Sequence, residues 1–437
     1  MSTEDRHDER PRPWAATHGL VWSVAAGVVL LVLGVLTGRA DVALLGVPVV
    51  VGALTAVLGR ARGVVWVDVV PTPGGTTAIR ADVHIAAPPG TEAVRLRVSR
   101  PGHGATEALV LVPGRRTVAV SAASVRTGPQ DVVRVEHQGV GPGGLLSGPV
   151  RSEEPPSVLV LPRPRSVGAL PLPSRLRGQN GQHEARRAGD GGGLRDIHPY
   201  QPGDTLRRID WRATARRSPR LEQLYVRRTL AMSEAVVTLV VDSRDDVGPD
   251  PRTWSGIRPI RPDDATSLDL ARQAAATVAQ GYLAAGDRVG VEDLGVRRRA
   301  LRPGAGRRQL DRVVHQLALL RPEGAPSRRV RAPHVTAGSL VLLFSTFLDP
   351  EPAALVRAWR RAGHRVVAVD VLPRLHVRGL DPRERLALRM VTIERTDRLA
   401  DVVAAGAELV RWSDDDALAR LATLARLSHA RPGRGVG

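Results

Sequence analysis

Three hydrophobic regimes follow one another along the chain. In the first, "GLVWSVAAGVVLLVLGVLTG" (residues 19–38) is apolar and uncharged, over the ~20 residues that a helix needs to cross a bilayer's hydrocarbon core. After "RAD" comes "VALLGVPVVVGALTAVLG" (42–59), again without a charge, and its Pro48 is tolerated in a membrane helix. A secretory signal would have a shorter apolar core, a small-residue cleavage site and no second span behind it. The pattern therefore predicts a transmembrane helical hairpin over 19–59, preceded by a polar tail over 1–18.

The second regime, residues 64–165, alternates. "VVWVDVVPTPGG", "AIRADVHIAAPPG", "AVRLRVSRPGHG", "EALVLVPGRRTVAVSA" and "VVRVEHQGVGPGG" each read as a strand closed by Pro/Gly turn signals, a spacing that predicts a small β-sandwich. "SVLVLPRP" reads as its last strand. Residues 166–193 are Gly- and Arg-rich and predict a linker. The third regime runs from 233 to 428. "EAVVTLVV", "RVGVEDL", "SLVLLFS", "RVVAVDVL" and "AELVRWS" alternate with the helical patterns "ATSLDLARQAAATVAQGYLAAG", "GRRQLDRVVHQLALL", "EPAALVRAWRR" and "DALARLATLAR". Near-continuous apolar strands suit a sheet buried on both faces, so this region predicts a doubly wound α/β domain.

Composition changes this picture only in part. At roughly 100–200 residues per domain, 437 residues allow two or three folding units. There is no cysteine, which excludes disulfides, thiolate metal sites and a cysteine nucleophile. The net charge is +19, and every basic Lys/Arg position is arginine. Two readings account for that excess: the residue bias of a very GC-rich coding sequence, and a preference for anionic surfaces, phospholipid headgroups first. Arg6, Arg10 and Arg12 precede the first span and Arg60 and Arg62 follow the second, with only Arg39 between. The positive-inside rule then places both termini and the soluble domains on the cytoplasmic side of the inner or plasma membrane.

Candidate chemistry is sparse. In doubly wound sheets ligands sit beyond the carboxyl ends of the strands, where this chain offers Asp242, Asp245, Asp246 and Asp349 with the hydroxyls of Ser345 and Thr346. Such hard oxygen donors, Asp242, Asp246, Ser345 and Asp349 above all, are candidate Mg²⁺ ligands. "HEARR" after Gln182 lacks the second histidine of a zincin, and no Gly-x-Ser-x-Gly elbow occurs.

The densest stretch is "YQPGDTLRRIDWRATARR" (200–217). Pro202-Gly203 signals a turn, and Asp204 is expected to cap a short helix over "TLRRIDW". One helical turn would pair Asp204 with Arg207 and Arg208 and set Arg207 against Trp211 as a cation–π contact; Asp210 would reach Arg216 across the next turn. Tyr200, Ile209 and Trp211 are the expected apolar anchors. The stretch holds carboxylates but no nucleophile, and it lacks a groove-entering nucleic-acid module. A structural brace or a partner-docking surface remains, and interface hot spots favour Trp and Arg.

With Pro199 in front and the apolar strand ending at Asp242 behind, this stretch resembles the signature of the domain-of-unknown-function fifty-eight family: Tyr200, Pro202, Gly203 and Asp204, Arg207 and Arg208, then Ile209, Asp210 and Trp211, then Ala215 and Arg216. The segment 194–232 carries that signature. The resemblance implies a following domain similar to von Willebrand factor type A, and a membrane protein associated with a MoxR-type AAA+ ATPase and often with a transglutaminase-like membrane protein. Type A domains usually hold a metal through Asp-x-Ser-x-Ser. Here the element reads Asp242, Ser243, Arg244, Asp245, Asp246, and a guanidinium beside the ion opposes binding. The expectation is a non-enzymatic, membrane-anchored adaptor without a cofactor. A Mg²⁺-dependent enzyme using the strand-end carboxylates is the first alternative, and an Arg-driven nucleic-acid binder at the membrane the second.

Overall fold

The computed structural model describes all residues except 1–13, 73–77, 113, 177–180, 296–299, 323–331, 334 and 431–437; for 184–192 and 428–430 it describes the backbone alone. Arg6, Arg10 and Arg12 thus lie outside the described residues, as do the side chains of Glu184 and Arg187. The chain divides into two compact units, one formed by residues 1–125, 129–158 and 261–263, the other by 126–128, 159–260 and 264–437.

The first unit opens with β1 (Ala15–Ala16), α1 (His18–Leu36) and α2 (Ala40–Leu58). Both helices, of 19 residues each, are long and apolar enough to cross a membrane, with mean hydropathies of 2.5 and 2.2 over their most apolar 18 residues. They approach closely at glycines. A methyl group on Gly34 would stand 2.4 Å from the Ala43 amide nitrogen, and one on Gly46 2.7 Å from the Gly27 carbonyl oxygen, the small-residue contact by which apolar helices associate where lipid offers no hydrophobic driving force.

Beyond them come β2 (Trp66–Thr72), β3 (Ala78–Ala86), β4 (Ala93–Ser99), β5 (Thr106–Leu111), β6 (Arg115–Ala123), β7 (Gly128–Asp131), β8 (Arg134–Val140), β9 (Leu146–Ser147), β10 (Arg151–Glu153) and β11 (Ser157–Val160). One antiparallel sheet runs β2-β3-β6 and another β1-β9-β8-β4-β5, with β10 on β8. Alternation does the sorting. Ile79, Ala81, Val83 and Ile85 of β3 are buried while Arg80 and His84 between them are exposed, as expected of strands with one wet face.

In the second unit, β12 (His183–Pro199) and β13 (Tyr225–Ser233) form an antiparallel pair with three register shifts. The Gly- and Arg-rich stretch predicted as a linker therefore ends in strand. Its side-chain pattern gives no period, but backbone pairing to β13 holds it, and the bulges absorb the glycine run. His183 Nε2 lies 3.0 Å from Asp287 Oδ2 at the start of this strand.

The remaining elements are α3 (Trp211–Arg217), β14 (Val236–Val241), α4 (Ser267–Ala284), β15 (Arg288–Asp293), β16 (Leu301–Gly304), α5 (Arg307–Ala318), β17 (Leu340–Ser345), α6 (Glu351–Arg361), β18 (Arg365–Asp370), α7 (Pro382–Ala404), β19 (Glu408–Arg411) and α8 (Ala417–Ala430). The six-stranded sheet is ordered β16-β15-β14-β17-β18-β19, parallel except for β16. Residues of α4, α5 and α8 share one core with Leu239, Leu342 and Phe344; those of α6 and α7 share the other with Val240, Val341 and Leu343. Helices thus cover both faces, which is why β14 and β17 are buried at every position. Each fully buried large apolar side chain contributes about 1.5–3 kcal/mol relative to exposure.

Candidate functional site

Two clusters of charge stand out in this second unit, one beyond the ends of β14 and β17 and one between β12 and β13. At the first, the chain leaves β14 at Asp242 and β17 at Ser345, adjacent strands whose ends open on the same edge. Ser345 Oγ donates to Asp242 Oδ2 at 2.8 Å. Arg244 turns back over its own strand: Nε donates to Asp242 Oδ1 at 2.8 Å and the guanidinium reaches Asp242 Oδ2 at 3.0 Å. It also reaches Asp349 Oδ1 at 3.2 Å and Glu351 Oε2 at 2.7 Å. Only 4% of the Arg244 side chain is exposed.

Electrostatics follows from that geometry. Burial by itself would lower the pKa of Arg244, but the Asp242 hydrogen bonds and the charges of Asp349 and Glu351 outweigh it and raise the value. Asp245 is pushed up by burial and by the neighbouring Asp242 charge. Of the four candidate metal ligands, Asp242, Ser345 and Asp349 come together. Asp246 does not: it pairs with Arg126 at 3.0 Å, beside an Arg126–Asp269 pair at 2.7 Å. Both oxygens of Asp242 already accept hydrogen bonds, and a fixed positive charge lies where an ion would sit. With Arg244 in place this donor set does not fit Mg²⁺, and among the described residues no group of three His, Asp or Glu is disposed to hold a metal. Phe347, next in the same loop, is buried with φ at +54°, a left-handed conformation that costs a non-glycine residue about 1–3 kcal/mol. Arg398 fixes the loop by donating to the Leu348 carbonyl at 2.7 Å.

The second cluster is the signature segment. The Gln201 carbonyl accepts from the Asp204 amide at 3.0 Å, and Gly203, with φ at +101°, supplies the left-handed third position of the turn that Pro202 begins. Asp204 closes it. Its Oδ2 accepts from the Gln201 amide at 2.9 Å, lies 2.9 Å from His198 Nε2, and its Oδ1 is 3.7 Å from Arg228. The Gln201 amide, then His198 and Arg228, hold this carboxyl below the usual aspartate range.

Here the structure differs from the expectation of one helix over "TLRRIDW". Leu206–Arg208 is a single 3₁₀ turn, Ile209 is extended, and the α-helix starts at Trp211. The cap is Asp210, whose Oδ1 accepts from the Ala213 amide at 2.9 Å. A 3₁₀ turn does not stack residues four apart, so Asp204 pairs with His198 and Arg228 rather than Arg207 or Arg208. Asp210 is spent on capping rather than on Arg216. The cation–π contact is Arg217 over Tyr225, 5.4 Å from the ring centroid, not Arg207 with Trp211.

Backbone bonds stitch the segment to β13: the Tyr200 amide donates to Leu224, the Asp210 amide to Tyr225, and Ile209 bridges Val226. Buried Thr214 accepts from the Tyr225 amide at 3.0 Å. Trp211 is no anchor. It is 63% exposed, and Leu206 and Leu221 are exposed with it. Arg207, Ala215 and Arg216 also face solvent, while Tyr200, Arg208 and Ile209 are half-buried. Arg228, Thr214 and Glu351 escaped sequence reasoning because each acts through a partner outside its own element, and His198 because only the folded Pro202-Gly203 turn brings Asp204, six residues on, back to it; only the proximity of Glu351 to Asp349 was a signal.

Residues 196–378 match the sequence profile of the family described as "Protein of unknown function DUF58", which covers the signature and the larger part of the α/β sheet. No curated protein matches. Among solved structures, one described as "Structure of beta-glucosidase 3B from Thermotoga neapolitana in complex with alpha-D-glucose" is similar over 23% of this chain and 18% of that one, with 13% identity and a TM-score of 0.11. A likeness so slight carries no argument.

Proposed function

We propose that the protein is a non-enzymatic, membrane-anchored adaptor whose second unit, a type A-like domain, docks a MoxR-type AAA+ ATPase or that ATPase's client through the signature segment. One observation carries this reading: Trp211, Leu206 and Leu221 are exposed on a segment whose backbone is pinned to β13. A large aromatic held on a rigid element and surrounded by Arg207, Arg212 and Arg216 has the make-up of an interface hot spot with little ordering cost. The arginines suit an acidic partner surface. The crevice supports a non-catalytic role, since its carboxylates are engaged by Arg244. With two apolar helices at the start and arginine flanking them, the soluble units are assigned to the cytoplasm, where such an ATPase works. The test is co-purification of the full chain with a MoxR-type AAA+ ATPase in each nucleotide state, comparing wild type with Trp211→Ala. Association that Trp211→Ala abolishes is expected; absence of association in every nucleotide state would remove the adaptor reading.

A further inference from the structure

The helix α7 buries one side and leaves an apolar stripe on the other. From Arg395 onward it is seated: Leu399 and Val402 enter a core, Arg395 donates to the Thr346 carbonyl at 2.7 Å, and Arg398 to Leu348. Its start is also fixed. Asp381 and Glu384 form a capping box, and Arg252 grips both oxygens of Glu384 at 2.8–3.0 Å. Between these anchors the outward face carries Leu386, Met390 and Ile393, which are 60%, 59% and 54% exposed. Their i, i+4, i+7 spacing makes a single line on the helix, opposite the line through Leu388, Arg395, Leu399 and Val402 that faces the domain.

Charge selects what covers that line. Arg383, Arg385 and Arg389 are exposed around it, and residues 385–393 contain no acid; of the acids that bound the ridge, Glu384 is neutralised by Arg252 and Glu394 pairs with Arg398 at 2.8 Å, while exposed Asp397 lies one turn beyond Ile393. An apolar ridge fringed by arginine is the pattern of a helix lying in a lipid interface, where long basic side chains reach anionic headgroups while the ridge enters the acyl boundary. The same chain carries two helices apolar enough to cross a membrane, which would hold this ridge at a high effective concentration near a bilayer.

We infer that the Leu386–Met390–Ile393 ridge of α7, fringed by Arg383, Arg385 and Arg389, is a docking surface for an anionic phospholipid bilayer. This contact is independent of the adaptor reading and involves none of the signature residues.

The absence of cysteine makes the test direct. Met390→Cys in the full chain, labelled with an environment-sensitive fluorophore, is reconstituted singly into nanodiscs of phosphatidylcholine alone or of phosphatidylcholine mixed with phosphatidylglycerol. The expected result is a blue shift, shielding from aqueous iodide and quenching by spin-labelled acyl chains in the mixed discs only, all lost when Arg383, Arg385 and Arg389 are changed together to Gln. A label equally exposed to iodide in both discs would overturn the inference. So would shielding that is the same without phosphatidylglycerol, or shielding in detergent that grows with protein concentration, which would assign the ridge to uncharged contact or to a second copy of the chain.

Discussion

The strand-end crevice and the signature segment are built from the same residue types, aspartate and arginine, and use them in opposite directions. In the crevice Arg244 turns inward and one guanidinium serves Asp242, Asp349 and Glu351 at once. In the signature segment the aspartates turn inward, Asp204 onto Gln201 and His198 and Asp210 onto the first turn of α3, while Trp211 and most of the arginines face water. An arrangement that satisfies its own charges can hold a fold together. One that satisfies its acids and leaves its aromatic and basic groups outside is what the proposed docking role requires. The difference lies in geometry more than in composition, which explains why the two look alike in sequence.

The largest effect that would break this comparison is at Arg244. Truncation to Ala leaves Asp242 and Glu351 without their cation, and removing one partner of a buried pair typically costs about 3–5 kcal/mol; chemical denaturation of the full chain in detergent should show a loss of that size. In Arg244→Ser the same carboxylates lose the internal charge that opposes an ion, so Mn²⁺ should restore part of the stability of this variant and none to wild type. Metal-dependent stabilisation of the wild type would contradict the fit described for the crevice.

A smaller loss is expected at Asp210→Ala, which removes the α3 cap at a cost of about 1 kcal/mol; the Ala213 amide should gain hydrogen exchange ahead of the sheet. Asp204 sharpens the contrast by pH. Its folded pKa is depressed, so its contribution is fully present above the unfolded value and is lost as pH falls through the folded one. Protection of the Gln201 amide should therefore persist below the ordinary aspartate pKa and then collapse, and Asp204→Asn should remove that acid step.

The two apolar helices, the alternating strands and the sheet of the second unit were legible because their apolar runs and periods are continuous in sequence: β14 and β17 are apolar throughout and buried throughout. The 23-residue helix α7 was not, since its apolar residues divide between Leu399 and Val402 on the packed side and Leu386, Met390 and Ile393 on the wet side, which blurs a helical period. Strand β12 was hidden by glycine, whose pairing with β13 is a tertiary fact. At the crevice the meeting of Asp242, Ser345 and Asp349 was legible from strand-end position. Their sharing of Arg244 was not, because a charge opposing an ion and a charge replacing it look the same along the chain. In the signature segment one 3₁₀ turn, Leu206–Arg208, moved the cap from Asp204 to Asp210 and turned Trp211 outward.

Trp211 tests the central claim most directly, through stability and partner affinity measured together on Trp211→Ala in the full chain. If Trp211, 63% exposed, docks the proposed AAA+ partner, its truncation should leave the unfolding free energy within about 0.5 kcal/mol of wild type while that binding is lost. A clear drop in stability with binding unchanged would make the segment a brace and contradict the account.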